Sequence, residues 1–314
     1  MQTNSTVTFP QKLHAGDVIG IISPGSPMLK ERLKKGIAYL ENQGYEVRVG
    51  EHVHDEYGYL AGTDTARAED INRMFADEEV RAIFCSRGGY GTPRLLNLVD
   101  YEIIENNPKI FVGYSDITAL QLAFFARTRL VTFSGPMAAV EMAKGMDAFT
   151  EKHFWRMLTE IRNGARLTEP SEAWKCLKPG QAKGPLLGGC LSLICALLGT
   201  PYFPDFQDAI LFIEDIGEQP YQIDRHLHHL KMAGVLNRLR GMVVGQFEDC
   251  APDPDSPSLT IEQVLDDVTR DLNFPVLSGL PYGHIDVKYT LPLGVQVALD
   301  ADRGELQIIE SPVV

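Results

Sequence analysis

The sequence predicts an α/β protein in two parts. An amino-terminal domain carries a mostly parallel sheet flanked by helices, and a smaller carboxy-terminal domain carries a β-rich, mixed sheet. Three observations predict it. The chain has 314 residues, roughly twice the usual single-domain length, so two cores with a cleft between them are expected. The first half alternates short apolar runs with helix-period patterns, as a parallel sheet covered on both faces requires. Periodicity then lapses from Arg162 to Lys183, a stretch with Pro170, Pro179 and Gly180, as in an interdomain linker. The expected division is residues 1–165, a linker over 166–183, and residues 184–314.

In order, Asp17–Ile22 (DVIGII) reads as the first strand, Ser23–Pro27 as a turn, and Leu29–Gln43 as a helix closed by Gly44. Glu46–Val49 reads as a strand. Thr65–Ala76 reads as a helix opened by Thr63 or Asp64, and Ala82–Ser86 as a buried strand. After RGGYGTPRLL, with a helix through Leu95–Leu98, the chain passes Tyr101–Asn107 into the strand Lys109–Val112, whose β-branched and aromatic residues suit burial. Ile117–Arg127 then reads as a helix. Beyond the linker, Gly184–Gly189 reads as a glycine-rich turn and the apolar run through Leu198 as a helix. Ala209–Glu214 and Gly241–Phe247 read as strands, and Glu248–Ser258 as a polar, proline-rich loop. Gly294–Ile309 reads as short β runs around an Asp-Arg-Gly turn.

Composition excludes several classes of function. A formal charge of −13 with no lysine or arginine run opposes nucleic acid and anionic membranes as partners. No apolar stretch approaches the ~20 residues of a membrane helix, and Met1–Lys12 is polar, which makes a cytoplasmic protein the expectation. The five cysteines (Cys85, Cys176, Cys190, Cys195 and Cys250) are odd in number and scattered, without a Cys-x-x-Cys pair. Neither a disulfide framework nor a zinc site is expected from them. In His226, His228 and His229 the spacing differs from the i, i+4 pair of helical zinc motifs, so a surface or packing role is expected.

Four motifs carry chemistry. KIFVGYSDIT (Lys109–Thr118) runs a buried strand through glycine into Ser115 and on into a helix, the shape that lifts a nucleophilic hydroxyl above a sheet edge. Ile117 stands where an α/β-hydrolase elbow has glycine, and taken alone the motif reads more readily as Ser115 or Asp116 capping the following helix. SRGGYG (Ser86–Gly91) follows another buried strand at the carboxyl end, where open α/β sheets bind ligands. It reads as an oxyanion or carboxylate cradle or as a tight turn, and it lacks the Gly-Lys-Ser/Thr of a P-loop. LFIED (Leu211–Asp215) ends an apolar strand in two carboxylates, one of which suffices to orient an imidazole. LPYGH (Leu280–His284) puts a histidine among turn formers, on a loop.

Together GYSD, SRGGYG, LFIED and LPYGH closely resemble the L,D-carboxypeptidase family of serine peptidases, which includes murein tetrapeptide carboxypeptidases and microcin immunity peptidases. The resemblance runs from GDVIGIISPGSP to PLGVQVALD. It implies a triad of Ser115, Glu214 and His284, with Glu214 rather than Asp215 as the acid, and the backbone N–H groups of Gly89 and Asp116 as the oxyanion hole. It also implies a site between the two domains and a homodimer. The implied reaction removes terminal D-alanine from cytoplasmic murein tetrapeptide in cell-wall recycling, through an acyl-enzyme and without a cofactor. Arg87, Gly88, Gly188 and Gly189 are candidate substrate contacts by position. Cys190 stands where the resemblance leads one to expect asparagine. Two alternatives stay open: a microcin-type peptidase cleaving an aminoacyl-adenylate-like compound, and a non-catalytic two-lobed binding protein.

Overall fold

A computed structural model of the chain describes residues 6–168 and 174–314. The first part runs β1 (Val18–Ile22), α1 (Lys30–Asn42), β2 (Glu46–Val49), α2 (Asp64–Ala76), β3 (Val80–Cys85), α3 (Tyr101–Asn106), β4 (Ile110–Gly113), α4 (Thr118–Thr128), β5 (Thr132–Ser134) and α5 (Ala148–Thr159). The second runs β6 (Lys175–Lys178), β7 (Gln181–Cys190), α6 (Leu191–Leu197), β8 (Ile210–Ile216), α7 (Pro220–Met232), β9 (Gly241–Glu248), α8 (Ile261–Thr269), β10 (Val276–Ser278), β11 (Leu291–Leu293), β12 (Gln296–Asp300) and β13 (Glu305–Ile308).

These strands form two sheets, ordered β11-β5-β4-β3-β1-β2 and β13-β12-β7-β8-β9-β10-β6. In the first, β1 to β5 are parallel and only β11 is antiparallel. In the second, β7 to β10 are parallel, with antiparallel strands at both margins. The α/β class with a mostly parallel first sheet and a mixed second one is therefore as the sequence predicted. Strands covered on both faces must be apolar throughout: Ile19, Ile21 and Ile22 of β1, Phe84 of β3 and Phe111 of β4 are all fully buried. One apolar core runs through both sheets.

Helix α1 buries Leu33, Gly36 and Leu40, a helical spacing that turns one face inward. Gly36 is needed there because a Cβ would stand 2.0 Å from the Ala138 carbonyl oxygen, so α1 lies directly on the π-helical turn Ala138–Met142. Thr63 opens α2, its hydroxyl accepting from the Ala66 N–H at 3.2 Å.

Several elements differ from the sequence reading. Gly184–Gly189 lies within β7 rather than in a turn. In the parallel register Gly188 faces Phe212, and a Cβ on Gly188 would lie 1.8 Å from the Phe212 carbonyl oxygen. Close backbone approach, not chain reversal, selects glycine at that position. The helix expected through Leu95–Leu98 is a 3-10 turn over Thr92–Leu95, started early because Thr92 bonds to Asp116 and Pro93 sets the first turn. The linker expected over 166–183 falls partly on residues 169–173, outside the described residues. In its described portion Lys175–Lys178 is β6, paired with β10. Strands β5 and β11 and helices α5 and α8 were not anticipated. β11 comes from the late part of the chain yet completes the edge of the first sheet.

Candidate active site

The carboxyl ends of β3 and β4 in the first sheet and of β8 and β10 in the second converge on one place. Ser115 directly follows Tyr114 at the end of β4 and opens the 3-10 turn Ser115–Ile117. Its φ of 65° is left-handed, a conformation that costs a non-glycine residue roughly 1–3 kcal/mol and persists only where the surroundings enforce it. The enforcement is visible. The Gln121 amide donates to the carbonyls of Gly113 (3.0 Å) and Phe133 (2.8 Å), fixing the strand end. A Cβ on Gly113 would press on Ile117 at 2.8–3.0 Å, so the turn closes only over glycine.

The Ser86–Gly91 segment backs this turn. A Cβ on Gly88 would lie 2.9 Å from Ser115 Cβ and 3.1 Å from its Oγ, and one on Gly89 would lie 2.4 Å from Ser26 Oγ. The Ser26 N–H donates to the Gly88 carbonyl at 3.0 Å, and Ser26 Oγ accepts from the Tyr90 N–H at 3.1 Å. Gly89 itself has φ 104°. Asp116 is not a helix cap. Its buried carboxylate accepts from the Thr92 N–H at 2.9 Å, and the Thr92 hydroxyl donates back to the Asp116 carbonyl at 2.5 Å. Burial pushes the Asp116 carboxyl up, while backbone bonds from Thr92 and Gly91 work against that shift. The side chain thus locks the glycine loop to the serine turn, and the Asp116 N–H sits in the first turn of a helix, where N–H groups have no intrahelical acceptor.

The two acids near the carboxyl end of β8, which runs on to Ile216 rather than stopping at Glu214, divide their work. Glu214 is 0% exposed, and its Oε2 lies 2.7 Å from His284 Nδ1, the partners being 70 residues apart in sequence. An ionised carboxylate only accepts, so Nδ1 carries the hydrogen and Nε2 keeps its lone pair. Burial pushes the Glu214 carboxyl above its usual range, with the bond to His284 opposing. Asp215 instead accepts from the Ser192 N–H at 2.7 Å, tying down the start of α6, and from the Cys190 thiol at 3.3 Å. The imidazole, 13% exposed, meets the Tyr114 ring edge-on at 5.1 Å between centroids. His284 therefore stands against the residue preceding Ser115.

The remaining candidates are dispersed. Gly189 has a packing reason, since its Cβ would lie 2.5 Å from Thr118 Oγ1, and the Cys190 N–H donates to that same hydroxyl at 3.1 Å. Gly188 is held by the Phe212 backbone as described above. The Cys190 thiol is buried and pushed well up by burial and by nearby Glu214 and Asp215. Arg87 is partly buried and donates a long 3.3 Å bond to the Pro27 carbonyl. With Arg32 and Glu56 it lines a cavity of about 450 Å³ walled by Met28, Leu29 and Val140. His226 and His228 lie near Glu218 and Asp224 on α7.

Sequence reasoning missed three residues behind His284. Glu141 and Lys288 form a buried ion pair at 2.7 Å, and the Tyr114 hydroxyl donates to Glu141 Oε1 at 2.7 Å. Burial pushes the Glu141 carboxyl up, yet Lys288, the Met137 N–H and Tyr114 together hold it below its usual range. No local pattern marks a pair 147 residues apart.

Comparison with known proteins places these motifs in context. The model of the LD-carboxypeptidase N-terminal domain matches residues 19–135, and that of the LD-carboxypeptidase C-terminal domain matches residues 183–299. The chain is 40% identical over 307 residues to a probable murein peptide carboxypeptidase of Bacillus subtilis, covering 97% of this chain and 95% of that protein. It is 30% identical to the microcin C7 self-immunity protein of Escherichia coli, covering 99% and 98%. A solved structure of microcin C7 self-immunity protein superposes with a TM-score of 0.91 at 27% identity, over 98% of this chain and 100% of that one. The crystal structure of muramoyltetrapeptide carboxypeptidase from Oxalobacter formigenes superposes with a TM-score of 0.82 at 31% identity, over 93% and 97%.

Proposed function

This chain belongs to the LD-carboxypeptidase family, and on that premise we propose that it hydrolyses the amide bond to the terminal D-alanine of murein tetrapeptide, with Ser115 as nucleophile. The observation that carries the reading is the buried Glu214 carboxylate holding His284 through Nδ1 while Nε2 is left to act as base beside the strained serine turn. Nε2 takes the Ser115 proton as Oγ bonds to the scissile carbonyl carbon. The N–H groups of Gly89 and Asp116 receive the oxyanion. The C–N bond breaks as the imidazolium returns the proton to the departing D-alanine amine. Water, deprotonated by the same nitrogen, then releases the acyl group from Ser115. None of these steps uses a metal, so turnover in EDTA is expected.

The murein substrate is favoured by 40% identity to a murein peptide carboxypeptidase against 30% to the immunity protein. One observation favours the second substrate class. Tyr59 and Tyr90 expose their rings beside the glycine loop, in edge contact at 5.6 Å, as a platform for a nucleobase would. Trp155 offers no such platform, being stacked on Tyr45 at 5.0 Å. The deciding experiment measures D-alanine release from murein tetrapeptide beside hydrolysis of an aminoacyl sulfamoyl adenylate. Faster turnover of the adenylate overturns the murein assignment.

For the free carboxylate of the leaving D-alanine, the Arg87 and Arg32 cavity supplies guanidinium donors with an apolar wall for the methyl group. A charge-assisted bond of ~1.5–3 kcal/mol makes KM rise about 10- to 100-fold in Arg87→Ala. The same variant leaves KM for a carboxy-terminal amide unchanged. A KM unaltered for both substrates removes Arg87 from recognition.

The same reading keeps two domains with the site between them, the second taking in β6 and the start of β7 ahead of residue 184 and lending β11 to the first sheet. It puts a homodimer in the cytoplasm, acting on recycled wall peptides, and the five free cysteines suit a reducing compartment. Light scattering on the purified protein tests the dimer.

A further inference from the structure

Lys288 is 1% exposed, lies four residues after His284, and sends its ammonium under the Tyr114 ring, 4.0 Å from the centroid. It pairs with Glu141 at 2.7 Å, and Glu141 also accepts from the Tyr114 hydroxyl at 2.7 Å and from the Met137 N–H at 2.9 Å. Three chain segments therefore meet on one carboxylate: the residue before Ser115, the π-helical turn Ala138–Met142, and the loop bearing His284. The backbone at that end of the loop is fixed as well. The Lys288 N–H donates to Thr150 Oγ1 at 3.0 Å, and that hydroxyl donates to the Asp286 carbonyl at 3.1 Å. The Tyr114 ring is held from below by the ammonium and meets the imidazole by its edge at 5.1 Å.

Burying two full charges costs several kcal/mol per ion before pairing, and an apolar pair of the same volume often serves stability as well or better. Stability alone is therefore a poor reason for Lys288 and Glu141. What a charged pair adds over an apolar one is direction. The ammonium must lie both at the carboxylate and beneath the ring, and the carboxylate must lie at the phenol hydroxyl, which leaves one arrangement of the three segments. The π-helical turn agrees with this, since such single turns recur at functional sites.

We propose that Glu141, Lys288 and Tyr114 are positioning residues that clamp the His284 loop onto the nucleophile strand and hold the imidazole in register with Ser115. The proposal rests on the assignment of Ser115 as nucleophile and His284 as base. Because the clamp acts on geometry rather than on substrate, its loss lowers kcat and spares KM.

The test compares four variants of the full-length protein for D-alanine release and thermal unfolding. Lys288→Met is expected to lower kcat about 100-fold with KM within about threefold, the cost of a misplacement near 1 Å. Tyr114→Phe keeps the ring and loses the hydroxyl anchor, and it lowers kcat about tenfold. The double variant Glu141→Met with Lys288→Met has no unpaired buried charge and unfolds closer to the wild-type temperature than Lys288→Met does, yet its kcat stays low. Leu227→Ala, in the buried face of α7, lowers the unfolding temperature and leaves kcat unchanged when assayed while folded. Recovery of wild-type kcat in the double variant, or wild-type kcat in Tyr114→Phe, overturns the proposal by making the pair structural only. Those results with an inactive Ser115→Ala leave the nucleophile assignment standing, whereas an active Ser115→Ala removes that assignment itself.

Discussion

Ser115→Ala is expected to lower kcat for D-alanine release by about 10⁴- to 10⁶-fold, the loss seen when a hydrolase serine acting as one unit with its base is removed. KM stays near the wild-type value, because the glycine loop and the arginine-lined cavity are untouched. Stability gives a separate signature, that of the strained turn. Alanine keeps the cost of φ 65°, so Ser115→Ala unfolds at about the wild-type temperature. Glycine adopts that φ without strain, so Ser115→Gly is equally inactive yet gains about 1 kcal/mol. The stability prediction follows from φ 65° whatever the role of the hydroxyl, and the loss of activity is what separates a nucleophile from a serine that merely begins a helix. Residual turnover within about tenfold of wild type would place the nucleophile elsewhere.

Legibility in the sequence followed burial geometry. β1, β3 and β4 are covered on both faces, and a run such as AIFC or IFV has no solvent-facing positions to interrupt it. Strands at the margins gave no such signal. β11 is three residues long and contains Pro292, which a central strand would exclude and an edge strand tolerates. In β7 the signal was misleading. Gly184, Gly188 and Gly189 resemble turn composition, but each is where a neighbouring chain, at Asp208, Phe212 or Thr118, leaves no volume for a Cβ. Gly188 and Gly189 also sit at φ 154° and 139°, so approach and backbone conformation both call for glycine there, and composition does not separate either from a turn.

In one dimension the chain showed Ser115, Glu214 and His284 only as motif residues near strand ends and turns, and it was the resemblance of the four motifs together that implied their grouping. The roles of Asp116 and Asp215 needed three dimensions. Asp116 has its carboxylate on Thr92, and Asp215 has its own on Ser192, so neither cap nor triad acid describes them. Lys288 and Glu141 were out of reach for the same reason. A lysine between Val287 and Tyr289 reads as a surface residue until the fold brings a carboxylate to it from 147 positions away.

Glu214→Gln is expected to lower kcat about 10³- to 10⁴-fold with little change in KM, and to do so without lowering stability at neutral pH. If the amide NH₂ occupies the Oε2 position it donates to Nδ1, which moves the imidazole hydrogen to Nε2 and blocks the base. If the amide oxygen occupies it, the imidazolium formed during attack has no counter-charge. Either orientation raises the barrier. The stability prediction follows from the direction of the carboxyl shift. Burial holds Glu214 above its unfolded value, so between the two values the folded protein binds more protons than the unfolded one. The contribution of Glu214 to stability is then fully present below the ordinary carboxylate range and is lost as pH rises through the raised folded value. Glutamine does not titrate, so the stability of Glu214→Gln relative to wild type should increase as pH is raised from about 4 to neutrality. Glu141 responds in the opposite sense, its carboxyl being held low, but it is present in both proteins and cancels in the difference. Denaturant unfolding of the two proteins across that range measures the difference directly. A pH-independent difference would mean that the Glu214 carboxyl is not raised in the folded state. An unchanged kcat would mean that something other than this carboxylate orients His284.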